Sequence, residues 1–90
     1  MTEKCININL KGRVQGVGFR YHTQNAASKY GIKGWVKNIP DGSVEIEAQA
    51  PEKNLELFVE ACKKGPMLAK VKHTVINDLP LANYTNFEIK

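Results

Sequence analysis

No run of apolar residues in this chain approaches the roughly 20 that a membrane-crossing helix needs, and Met1-Thr2-Glu3-Lys4 leads straight into a strand pattern rather than a signal segment. A cytoplasmic protein with no membrane contact is therefore expected. Cysteine is scarce: Cys5 and Cys62 stand far apart, with no CxxC spacing and no histidine at a ligand-like interval. That excludes a disulfide framework and gives no support to a zinc site, so both are read as reduced structural thiols. Two familiar phosphate motifs are also missing. No Gly-Lys-Ser/Thr occurs, and position 21, where a dinucleotide fingerprint would need its third glycine, is Tyr.

The most informative absence is of negative charge. Between Lys4 and Pro40 there is neither Asp nor Glu, while Lys4, Lys11, Arg13, Arg20, Lys29, Lys33 and Lys37 make seven cations. Residues 41–90 carry six cations against eight carboxylates, so the net charge of +4 is concentrated in the first half. A cationic segment is a solvated basic face, a nucleic-acid footprint or an anion site. Without clustered carboxylates there is no place for a hard cation such as Mg²⁺, and no metal or other cofactor is expected. At 90 residues, 42% hydrophobic and 24% charged, the chain is expected to be one soluble domain, 1–90, with a core near the lower size limit for unassisted folding. A monomer is expected.

Within the basic segment lies Gly12-Arg13-Val14-Gln15-Gly16-Val17-Gly18-Phe19-Arg20. Glycines let successive backbone N–H groups turn towards one point, and a helix start adds free N–H groups and partial positive charge. Arg20 supplies a planar charged fork suited to phosphate oxygens. From spacing alone, close packing explains these glycines as well as anion binding does.

The surrounding periodicities define the elements. Ile6, Ile8 and Leu10 alternate with Cys5, Asn7 and Asn9, which predicts a first strand running into the glycine loop. Phe19, Ala26, Ala27 and Tyr30 form one helical stripe, predicting a helix over about 19–30 that Gly31 ends. Residues 32–39 and 43–49 read as strands joined by a Pro40-Asp41-Gly42 turn. Leu55, Phe58, Val59 and Cys62 predict a second helix opened by Pro51 and stopped by Gly65-Pro66. Residues 70–77 read as a fourth strand in which Val71 and Val75 share a face, and Phe87 with Ile89 as a short last one. The order predicts an α+β ferredoxin-like βαββαβ sandwich, with two helices on one face of a mainly antiparallel sheet of four to five strands.

Asn38, of the same parity as Val36 in Gly34-Trp35-Val36-Lys37-Asn38, places an uncharged amide at a strand end. Alone it would be a turn or hydrogen-bonding residue. Yet Gly12-x-Val14-Gln15-Gly16-Val17-x-Phe19-Arg20, followed by Gly34-Trp35-Val36-Lys37-Asn38 and Asp41-Gly42-x-Val44-Glu45, resembles the paired signature of the acylphosphatases over essentially the whole chain. That resemblance implies a ferredoxin-like hydrolase that splits the carboxyl–phosphate bond of small acyl phosphates without a metal. It implies that the phosphate is held by Arg20 and the loop amides of Gln15, Gly16, Val17, Gly18, Phe19 and Arg20. Asn38 would position the attacking water. The chain departs from the family pattern at Ala50, where a glycine is usual. Similar domains also occur inside larger hydrogenase-maturation proteins acting on carbamoyl phosphate.

His22, about one turn after Phe19, is read as a polar helix-surface residue, with a role as general base the alternative; His73 is read as structural. Two rival functions fit the sequence less well. An RNA-binding module on this scaffold would need interleaved aromatics on central strands, and strand one offers Ile, Asn and Leu instead. A regulatory anion-binding domain would not need Arg20 and Asn38 together.

Overall fold

A computed structural model describes residues 2–90. The alternating segment forms β1 (Glu3–Arg13), and the stripe after the glycine loop forms α1 (Phe19–Tyr30). A hairpin follows, β2 (Lys33–Asn38) and β3 (Val44–Pro51), then α2 (Glu52–Lys64), β4 (Lys70–Leu79) and β5 (Phe87–Ile89). The strands make one sheet in the order β4-β1-β3-β2-β5. Every pairing is antiparallel except that of β5 with β2. This is the ferredoxin-like α+β arrangement expected, with five strands in a mixed sheet.

Period-2 alternation decides which side of the sheet is dry. Ile6, Ile8 and Leu10 pair with Ala48, Ile46 and Val44, and Val36 lies across from Ile46 on the next strand. These side chains join Phe19, Ala26 and Ala27 of α1 and Leu55, Phe58, Val59 and Cys62 of α2 in one apolar cluster. Each of the larger ones contributes about 1.5–3 kcal/mol by leaving water. Ala50 belongs to the same buried row and pairs regularly with Lys4, so a methyl is accommodated where the family usually has glycine.

One expectation about β4 does not hold. The register slips between Lys11 and Gly12 of β1, so that Lys11 faces His73 but Gly12 faces Val71. The extra β4 residue is a β-bulge, and a bulge reverses side-chain parity along its strand. Val71 therefore packs against the core, whereas Val75, opposite Asn9, is half exposed on the other side. His73 lies on that exposed side.

Candidate active site

β1 leaves the sheet at Arg13 and α1 begins at Phe19, so the glycine loop closes one end of the core. Its two ends are anchored: Val14 and Phe19 are buried among the core side chains. Between them Gly16 and Gly18 adopt φ of 73° and 76°, the left-handed region that L side chains avoid. A β-carbon built on either would meet nothing within 4 Å, so open space rather than tight packing lies on that side. Packing does explain Gly12, whose β-carbon would collide with the Lys70 carbonyl. The two readings of the glycines thus divide along the loop, with backbone turning at 16 and 18 and close approach at 12.

Gly18 also caps α1 without any side-chain hydrogen bond. The first turn closes with the His22 N–H donating to the Gly18 carbonyl at 3.1 Å, and the amides before it have no helical partner. Their dipoles point out of the helix start, where an anion is stabilised. Thr23 donates its hydroxyl back to the Phe19 carbonyl at 2.9 Å, which holds this turn in place.

Gln15 carries out a different task from its neighbours. Its amide nitrogen donates to the carbonyls of Ile39 at 2.7 Å and Ser43 at 2.9 Å, tying the loop to the β2–β3 turn. That turn is braced by Asp41, which accepts from both the backbone N–H and the hydroxyl of Ser43. These bonds hold the Asp41 carboxyl below its usual range, the Ser43 hydroxyl contributing most. The consequence is positional: Asn38, the last residue of β2, is fixed relative to the loop.

A cavity of about 140 Å³ lies at this junction. Gly16, Gly18 and Phe19 of the loop, Arg20 and Tyr21 of α1, Asn38 of β2 and the buried Val14 form its wall. Of the residues named from sequence, Gly16, Gly18, Phe19, Arg20 and Asn38 converge here. Gln15 and Val17 flank the wall without entering it, and the Gln15 side chain is committed to the turn. Arg20 is half-buried, and its Nη1 donates to the Lys90 carbonyl at 3.4 Å. Lys90 is in turn held by its N–H to the Val36 carbonyl at 2.8 Å. Sequence reasoning missed Tyr21, although its place directly after Arg20 in the first helical turn was the available signal.

His22 is elsewhere. It lines a separate hollow of about 220 Å³ with Asn25, Ala26, Lys29, Tyr30 and Ala61, on the side of α1 that faces α2. Its Nδ1 is buried without a hydrogen-bond partner among the described residues, and burial lowers its pKa. It forms no part of the Arg20–Asn38 cavity wall, and the alternative of a base at that site has no geometric support. Cys5 and Cys62 are both free and buried. Desolvation pushes the Cys62 thiol up to about 12, as befits an inert core residue. Among the described residues no three of His, Cys, Asp or Glu come together as a metal-holding group, and no helix is long and apolar enough to cross a membrane.

The comparisons with known proteins agree with one another. The sequence profile described as Acylphosphatase matches residues 6–89. The acylphosphatase of Archaeoglobus fulgidus is 46% identical over 85 residues, covering 94% of this chain and 96% of that one. The acylphosphatase of Oceanobacillus iheyensis is 48% identical over 87 residues, again covering 94% and 96%. Among solved structures, that of acylphosphatase from Bacillus subtilis superposes with a TM-score of 0.94 at 44% identity, covering 97% of this chain and 98% of its own. A shared fold, near-complete mutual coverage and identity far above 30% leave one conclusion: the chain belongs to the acylphosphatase family.

Proposed function

We propose that this chain hydrolyses acyl phosphates to carboxylate and inorganic phosphate in the cavity between the glycine loop and the end of β2. The observation that carries the proposal is the convergence of Arg20, the α1 start and Asn38 on one space of about 140 Å³. The phosphoryl oxygens lie against the amides of residues 15–20 and the Arg20 guanidinium, which complement their charge without adding a repelling carboxylate. Asn38 holds a water by its side-chain amide, in line with the bond to be broken.

The chemistry needs little more. Phosphoryl transfer to water passes through a loose transition state, so positioning and electrostatic complementarity supply most of the rate. The water oxygen bonds to phosphorus as the bond from phosphorus to the acyl oxygen breaks, and that electron pair leaves on the carboxylate. A carboxylate with a conjugate-acid pKa near 4 needs no general acid. Asn38 is no base, so the water's proton passes to a phosphoryl oxygen of the substrate itself. Metal independence is part of the same reading, since the stretch from Lys4 to Pro40 offers no carboxylate to hold a cation. So is a monomeric, single-domain enzyme acting in the cytoplasm, with no nucleic-acid partner: each group assigned a role comes from one chain.

The test is phosphate release from acetyl phosphate and benzoyl phosphate in the presence of excess EDTA. Hydrolysis undiminished by EDTA, competitively inhibited by inorganic phosphate, is expected. Arg20→Ala should lower kcat/KM by about 10³-fold with an unchanged unfolding curve. Phosphate binding without turnover in well-folded protein would overturn the reading and leave an anion-binding module.

A further inference from the structure

The cavity has a volume of about 140 Å³, and the loop amides, Arg20 and Asn38 on its wall are given to the phosphoryl group and the attacking water. The acyl half of any substrate must then lie across the rim, and selection among acyl groups belongs to the rim rather than the cradle.

The wall leaves one side chain for that task. Val14 and Phe19 are 1% and 2% exposed and face the core, and Gly16 and Gly18 have no side chain. Arg20 and Asn38 are already assigned to phosphate and water. Tyr21 is part of the same wall yet 68% exposed, directly after Arg20 on the first turn of α1. A single exposed aromatic is ordinary on a protein surface. An exposed aromatic forming the wall of the proposed phosphate cavity is placed to touch whatever the phosphate carries.

The geometry points to Tyr21 as the residue that selects the acyl group, favouring aromatic or extended apolar acyl phosphates over acetyl phosphate. This rests on the hydrolase reading of the same cavity. Its ring offers a flat, uncharged face against which a planar acyl group stacks while the phosphate sits in the cradle; an acetyl methyl covers little of that face. Asn38 reaches the cavity from β2 and Tyr21 from α1.

The experiment compares kcat/KM for benzoyl phosphate and acetyl phosphate in the unmodified chain, Tyr21→Ala and Tyr21→Phe, with the inhibition constant of inorganic phosphate measured alongside. The benzoyl-to-acetyl ratio should fall about fivefold in Tyr21→Ala and stay within about twofold in Tyr21→Phe, which keeps the ring. Phosphate inhibition should move less than about twofold, because the cradle sets it. An unchanged ratio in Tyr21→Ala, or a phosphate inhibition constant that weakens as much as benzoyl phosphate turnover, overturns the assignment while leaving the hydrolase reading intact. Release of phosphate from neither substrate by the unmodified chain would overturn the hydrolase reading itself, and the Tyr21 assignment with it.

Discussion

On the helix-covered side of the sheet Ile8, Leu10, Val36, Val44 and Ile46 are fully buried in an apolar cluster. On the other side, Asn9 donates to the Ser43 hydroxyl at 3.1 Å, Trp35 Nε1 to the Tyr84 hydroxyl at 3.2 Å, and the Tyr84 hydroxyl to Glu47. Gln49 there acts as a stand-in strand: its amide donates to the Ala82 carbonyl at 3.0 Å and accepts from the Ala82 N–H at 2.8 Å. Burial, together with the Glu47 carboxylate, pushes the Tyr84 phenol up to about 12. One face is held by area removed from water, the other by a hydrogen-bonded strap between β4 and β5.

The difference explains how Asn38 becomes available for chemistry. It belongs by parity to the covered face, in the row of Val36, yet it stands at the strand end where the cover gives way to the start of α1 and the glycine loop. A polar residue in a core-facing register, positioned where the core stops, faces a cavity instead of a neighbour.

The comparison can be broken most forcefully at Phe58, the fully buried aromatic that α2 turns into the core. Phe58→Ala should cost about 3–5 kcal/mol in urea unfolding, and a loss below about 1 kcal/mol would mean that the covered face does not depend on packing. Asn38→Ala tests the point at which the covered row turns functional. Its kcat should fall by about 10²–10³-fold with little change in KM, while stability stays within about 1 kcal/mol. A comparable loss of stability would return Asn38 to a structural role.

On the strapped face Gln49→Ala removes two side-chain hydrogen bonds to the Ala82 backbone, each worth about 0.5–1.5 kcal/mol net, from a segment that water can reach. A total of about 1–2 kcal/mol is expected, with faster amide exchange at Ala82; a loss matching that of Phe58→Ala would erase the distinction between the faces.

The smallest effect belongs to His22. Its folded-state pKa is lowered by burial, so the unfolded chain binds the extra proton first as pH falls below about 6.5. This contribution to stability is present above the unfolded pKa and is lost on acidification through the folded value. Thermal midpoints between pH 7 and 5 should decline less steeply for His22→Leu than for the unmodified chain, and equal slopes would show that the imidazole is not desolvated.

Much of this could be read from residue order because the responsible forces are local. The alternation of Ile6, Ile8 and Leu10 and the stripe of Leu55, Phe58, Val59 and Cys62 report burial directly, since side-chain direction has period 2 in a strand and 3.6 in a helix. The Val71 and Val75 expectation failed for a complementary reason: a bulge is set by the register against β1, which no property of residues 70–77 announces. The resemblance assigns Gln15 to the phosphate loop through its backbone amide, but the place of its side chain was not legible, because it bonds the carbonyls of Ile39 and Ser43, 24 and 28 residues away.

By itself the sequence determined the elements and the carboxylate-free flank of the cradle, because composition and short-range periodicity carry these, while the paired motifs around Arg20 and Asn38 carried the resemblance to the family. Only the tertiary structure decided that Gly16 and Gly18 face open space while Gly12 meets a backbone carbonyl. It also removed His22 from the cavity and put Tyr21 on the rim. Those outcomes depend on which segments, distant in the chain, lie across from one another, and that is settled when burial of the shared core fixes every register at once.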